Sequence, residues 1–159
     1  MPKVAILGRY FAGPELVAGA EVTGKWASWC IAGSTPRKIW QDAEDTLQTV
    51  IKTTGYVNVF VYLGENIPVR HVLRVDGLVV APETVAAPGP TFDNYANDKS
   101  HAWLRYAKMQ ELKQALPRDG FRELPLHDGE FATAAQKIEA RAWFQMRNTG
   151  VIFVEDPLR

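Results

Sequence analysis

Apolar residues fall along this chain in runs of two different periods, separated by clusters of glycine, proline, asparagine and aspartate. Val4-Ala5-Ile6-Leu7 is a short continuous apolar run ending at Gly8, which predicts a buried strand. Residues 11–25 are small and Gly-rich, and Pro14 breaks any regular element. A second short strand is expected within 26–33, followed by Ser34-Thr35-Pro36 as a helix start, with Pro36 tolerated in the first turn. From Arg37 to Thr53 the period changes to that of a helix, with a stripe through Ile39, Ala43, Leu47 and Val50/Ile51. Gly55 suits the left-handed residue that ends it.

Val57 to Leu63 is apolar on both faces and rich in β-branched and aromatic residues, as a central strand is. Glu65-Asn66-Ile67-Pro68 reads as a turn and Val69 to Val80 as the returning strand, so the two form an antiparallel hairpin. Residues 81–99, with Pro82, Pro88, Gly89 and Pro90, read as a long loop that carries Phe92 and Tyr95 as candidate binding aromatics. Residues 100–116 fit two patterns. Ala102, Tyr106, Met109, Leu112 and Leu116 recur at helical spacing, whereas Trp103-Leu104-Arg105-Tyr106 reads equally as a strand; propensity favours the helix. Pro117 to Gly120 is a turn, Phe131 to Met146 a helix closed by Gly150, and Val151 to Val154 a final strand.

The length of 159 residues suits one domain, expected to span 1–159. With 47% hydrophobic residues, the chain should bury roughly two thirds of its unfolded surface without disulfides or metal. Eighteen basic residues balance eighteen acidic ones, which excludes a protein that coats nucleic acid by bulk charge but leaves room for a local basic groove. One cysteine, Cys30, excludes an internal disulfide and a Cys-rich zinc site, and its apolar flanks mark an inert thiol. No signal peptide or membrane span is evident, so a soluble, cytoplasmic protein without membrane partners is expected.

Specific catalytic motifs are lacking. His71, His101 and His127 are scattered, so no metal and no cofactor is expected. The run into Gly8 begins like a nucleotide-binding loop, but Arg9-Tyr10-Phe11 is bulky where phosphate must approach closely. Ser100-His101 are neighbours in sequence only, which is no sign of a triad.

What remains is a basic and aromatic constellation. Trp26, Trp29 and Trp40 lie among Lys25, Arg37 and Lys38, and three indoles in so short a segment offer flat faces for a planar ligand. Ordinary core packing is the competing reading, since Trp is mostly buried. Arg70 and Arg74 read either as phosphate contacts or as solvated strand residues. Ser28, Ser34, Asn58, Asp93 and Asn94 could supply hydrogen bonds to a base edge.

Three stretches resemble the PUA-like superfamily, in particular its EVE and ASCH branches: Trp29-Cys30-Ile31-Ala32-Gly33-Ser34 to Trp40; Asn58-Val59-Phe60-Val61-Tyr62-Leu63 followed by Val72-Leu73-Arg74-Val75; and Trp103-Leu104-Arg105-Tyr106 with Leu124-Pro125-Leu126 and Gly150-Val151-Ile152-Phe153-Val154. The resemblance implies a small barrel holding a nucleobase, often a modified one, in an aromatic cage, and it makes 103–109 a strand. EVE-like domains read modified bases in DNA or RNA, and some serve as the recognition half of modification-dependent nucleases. Some ASCH-like proteins hydrolyse modified nucleosides with a closely placed Lys, Thr and Glu. Thr23 and Lys25 are close here, but their surroundings do not match, and that activity is not carried over.

The expectation is therefore an α+β fold, a small mixed or antiparallel PUA-like barrel with flanking helices. Its expected role is to bind a nucleobase, a modified one in particular, in DNA or RNA, with a nuclease as partner or accompanying domain. Trp29, Ser34, Trp40, Tyr62 and Asn94 are the expected base contacts, and Arg37, Lys38, Arg70 and Arg74 the expected phosphate contacts. The alternative is a small enzyme hydrolysing or transferring a modified nucleoside or nucleotide, which needs a perturbed carboxylate or lysine in the same pocket.

Overall fold

A computed structural model describes residues 3–9, 20–29, 37–64, 67–139 and 150–159. Its elements run β1 (Val4–Arg9), β2 (Trp26–Ser28), α1 (Arg37–Thr54), β3 (Val57–Tyr62), β4 (Val69–Val85), β5 (Ser100–Leu116), β6 (Arg122–Glu123), β7 (Leu126–His127), β8 (Glu130–Phe131), β9 (Gln136–Lys137) and β10 (Val151–Glu155). The fold is α+β, mostly strand with one long helix among the described residues.

Eight strands form one sheet in the order β2-β5-β4-β3-β1-β10-β6-β9, and β7 and β8 form a separate hairpin. Among the described strands β1 and β3 pair in parallel, as a crossover through α1 requires, and the other ladders are antiparallel. No ladder among the described residues joins β2 to β9, so the sheet is open. That corrects the expected barrel.

The two faces of the sheet bury different clusters. One face presents Val4, Ile6, Val57, Val59 and Val61 to the buried stripe Trp40, Ala43, Leu47 and Val50 of α1. The other presents Ala5, Leu7, Phe60 and Tyr62 to Phe121, Ile138, Val69 and Val72. Central strands β1 and β3 read as continuous apolar runs because both of their sides are covered. Helix α1 stops at Gly55, whose φ of +89° is left-handed and whose N–H donates to Ile51 O at 2.8 Å. Gln48 ties the helix to the sheet by donating from Nε2 to Leu78 O at 2.7 Å.

The expected β3–β4 hairpin is present, with Val57 opposite Val75 and Phe60 opposite Val72. Strand β4 runs on past Val80 to Val85, shortening the expected loop to 86–99. Phe92 in that loop is only 6% exposed; it packs against Tyr95 and Tyr106, which makes it core rather than a free binding aromatic.

Residues 100–116 are strand throughout, against the helical propensity. Bulges explain the false helical spacing. Between Val75↔Tyr106 and Arg74↔Lys108 the β5 strand spends two steps where β4 spends one, leaving Ala107 as the extra residue. Ala102, Leu104 and Tyr106 alternate on the helix-covered face, Met109 packs three residues later, and Leu112 and Leu116 join the opposite cluster. A bulge followed by a change of face thus reproduces steps of three and four. The expected helix over 131–146 is also corrected where described, because 130–131 and 136–137 are strands; its remainder, 140–146, lies outside the described residues.

Leu47 is fully buried between α1 and the sheet. Leu47→Ala is expected to lower the unfolding free energy by about 2–5 kcal/mol, read by urea denaturation. The same substitution at exposed Gln41 should stay within about 0.5 kcal/mol.

Candidate functional site

Strand β2 lies on the edge of β5, with Trp26 opposite Arg105, Ala27 opposite Leu104 and Ser28 opposite Trp103. Alternation sends Ala27 into the core and Trp26 and Ser28 to the other side. Just past the strand, Trp29 turns onto the helix-covered face, where it is half-buried. Its position is fixed three times over. The indole N–H donates to the Tyr106 hydroxyl at 3.1 Å. The ring meets Trp40 edge-on, at 6.5 Å between centroids and 65° between planes. Its six-membered ring also lies against Gly8, where a Cβ would stand 2.5 Å from Cζ3 and 2.7 Å from Cη2. Gly8 is therefore a close-approach glycine, not a phosphate loop.

Trp40, from the first turns of α1, is fully enclosed, and its Nε1–H has no acceptor among the described residues. Ser28 Oγ is likewise buried without a partner. Orphaned buried polar atoms of this kind cost about 1–3 kcal/mol each. Trp26, on the far side of β2, is walled by Gly77 and Gly89 and lies under the Arg105 guanidinium, 5.5 Å from the ring. Arg105 in turn donates from Nε to Asp76 Oδ1 at 2.8 Å.

The other expected site residues disperse. Tyr62 is 3% exposed and packs in the opposite cluster, across the sheet from Trp29 and Trp40, so it is not brought to them. Ser34 lies outside the described residues, as does Cys30. Asn94 is exposed in the 3-10 turn Asp93–Tyr95. Arg37 is exposed at the start of α1, and Lys38 beside it donates to Asp42 Oδ2 at 2.8 Å, which raises the lysine's pKa. Arg70 is exposed on β4. Arg74 stacks on Tyr56 at 4.4 Å, and Arg159 stacks on the same ring at 3.9 Å. Asn58 is buried and donates to Asp156 Oδ2 at 2.8 Å, tying the C-terminus to β3 instead of reading a base.

Sequence reasoning missed Gly8 and Tyr106, which hold Trp29. Tyr106 was visible in the Trp103–Tyr106 strand pattern, and the helical reading hid its direction.

A separate cavity of about 270 Å³ lies between α1 and the β6–β10 region, lined by Lys38, Ile39, Asp42, Glu123, Leu124 and Phe153, among others. Glu123 titrates above the ordinary glutamate range because burial disfavours its anion and Glu139 adds repulsion. Among the described residues no group of three or more His, Cys, Asp or Glu converges as a metal site, and no helix is long and apolar enough to cross a membrane. The chain matches no protein-family model, no curated protein and no solved structure.

Two outcomes follow from this geometry. Gly8→Ala drives a methyl into the pinned Trp29 ring, so it should destabilise by about 1–3 kcal/mol and alter the near-ultraviolet circular dichroism of the indoles. Glu123 holds its proton more tightly folded than unfolded, so its ionisation subtracts stability as pH rises through the unfolded and then the folded value. Glu123→Gln should therefore raise Tm at about pH 7 and lose that advantage at about pH 3.5, below both values.

Proposed function

We propose that this protein is a nucleic-acid-binding module that stacks a nucleobase, a modified one in particular, against Trp29. In this reading the chain is a PUA-like domain with an open sheet, and any cutting or modifying step belongs to another domain or a partner. The observation that carries the proposal is the state of Trp29. It is held by Tyr106, Trp40 and Gly8, yet remains half-buried. A ring fixed in advance loses little entropy when a base stacks on it. Exposed Arg37 follows the same segment of chain and supplies charge for a backbone phosphate. Trp40 backs the platform and Tyr62 stabilises the opposite core; neither serves as a second stacking face. Asn94 and Ser34 remain candidate edge readers in this proposal.

The enzyme alternative draws on one observation, the raised Glu123 carboxyl in a cavity shared with Lys38 and Asp42. Trp29 is not among the residues lining that cavity, so the pairing of stacking ring and reactive carboxylate that the alternative needs is missing.

The test is fluorescence anisotropy with labelled oligonucleotides carrying different modified bases, repeated across salt. Trp29→Ala should weaken binding of the preferred oligonucleotide roughly five- to 150-fold, the worth of one stacked base. Trp29→Phe, which keeps an aromatic face, should retain most of it. Equal affinity in a folded Trp29→Ala variant refutes the site, and turnover of free modified nucleosides by the wild type favours the enzyme.

A further inference from the structure

On the opposite side of the sheet from Trp29, the short ladder of β6 and β9 places Arg122 directly across from Lys137. Directly opposed residues in an antiparallel pair have their Cβ atoms about 4.5–5.5 Å apart, and like charges there destabilise the pair. Neither side chain has an ion-pair or hydrogen-bond partner among the described residues. Both line one cleft of about 510 Å³ together with Arg118, Asp119, Phe121 and Ile138. Among the described lining residues Arg122 and Lys137 are thus cations set against each other, and Asp119 is the carboxylate. The apolar part of the lining is rigid, because Phe121 and Ile138 are anchored in the second core cluster. An unrelieved repulsion built into a ladder, on the wall of a cleft, is the arrangement an anion would resolve.

We propose that this cleft binds a phosphate group. The guanidinium fork of Arg122 matches the oxygens of a phosphate, and Lys137 adds a point charge from the facing strand. None of Arg37, Lys38, Arg70 or Arg74 lines the cleft, so the site is distinct from the phosphate contacts expected from sequence. The inference goes beyond the base-stacking reading and stands without it, since it shares no residue with Trp29 and its supports. Phosphate chemistry has two sources here, the backbone of a nucleic acid and a free phosphate or phosphomonoester.

The experiment is thermal unfolding of the whole chain in chloride, with inorganic phosphate titrated in at constant ionic strength. A ligand that binds only the folded state raises Tm in proportion to its occupancy. Wild type should show that rise. Arg122→Gln should unfold at a higher temperature than wild type in chloride, because the opposed repulsion is gone, and should lose the phosphate-dependent rise. If Arg122→Gln does not fold, Lys137→Gln reads the same two effects. Arg70→Gln should behave as wild type in both. The source is separated by anisotropy with a short unmodified oligonucleotide. If Lys137→Gln reduces the salt slope of its binding by about one, the cleft takes backbone phosphate; if oligonucleotide binding is unchanged while the phosphate-dependent rise is lost, it takes the free group. Absence of a phosphate-dependent rise in wild type, or its full retention in a folded Arg122→Gln variant, overturns the proposal.

Discussion

The ladder between β4 and β5 is the constraint on which the rest of the molecule depends. Both strands are seventeen residues long, and their register slips at several points. In a regular strand each parity of residues keeps to one face along its whole length. Alternation lets the ladder serve both cores, and the slips change which residues face each: Val75 before the slip and Leu78 after it, with Leu104 and Tyr106, meet the helix-covered cluster, while Val69, Val72, Leu112 and Leu116 meet the other. The groups displaced by the bulges are used. Asp76, the extra residue on β4 between Val75 and Gly77, accepts the hydrogen bond of Arg105. Ala107, the extra residue on β5, offers its carbonyl to Thr23 Oγ1 at 3.2 Å, which fastens the approach to β2. The backbone bonds Gly24 N–H to Tyr106 O and Tyr106 N–H to Lys25 O complete that attachment. The placement of Trp29 is the last consequence of this series, because its anchor Tyr106 is the residue just before the β5 bulge.

Where one interaction dominated, the sequence was easy to read. Helix α1 was legible because an exposed face and a buried stripe alternate at one period, and Gly55 ends it by a local backbone requirement. The β3–β4 hairpin and strands β1 and β10 were legible because continuous β-branched runs have few other uses. Residues 100–116 were misread because a bulged strand that changes faces produces helical spacing, and because their Ala, Leu, Lys, Gln and Glu content favours helix in isolation. Strand pairing with β4 along the segment overrides a propensity worth fractions of a kcal/mol per residue. The short strands β6 to β9 carry two residues each, too few for any period to register.

The candidate site was legible in composition and not in geometry. Counting indoles identified Trp29, but it could not distinguish Trp29 from Trp40, and the difference is large: one ring is half-buried and the other sealed. Nor could it assign sides of the sheet. Tyr62 follows Val61 on β3, and adjacent strand residues point to opposite faces, so burial of Val61 against α1 commits Tyr62 to the other core. The two anion-binding possibilities differ in the same way. Arg70 and Arg74 belong to a long strand whose cations find water or an aromatic ring, whereas Arg122 and Lys137 are set against each other by a ladder that sequence alone does not reveal.

Trp40 shows why the sealed ring still matters to the open one. An indole with no acceptor for its N–H carries an uncompensated desolvation cost. That cost is tolerated because the ring itself buries a large apolar surface between α1 and the sheet. Its edge contact holds Trp29 from one side, while Tyr106 fixes the indole nitrogen and Gly8 admits the far ring. Removing any one of these three would leave Trp29 with rotamers to explore. In the proposed stacking role a ring free to move could still stack, but each binding event would then have to immobilise it. A glycine, a tyrosine hydroxyl and a buried tryptophan thus converge on the orientation of one half-buried side chain just past a three-residue edge strand.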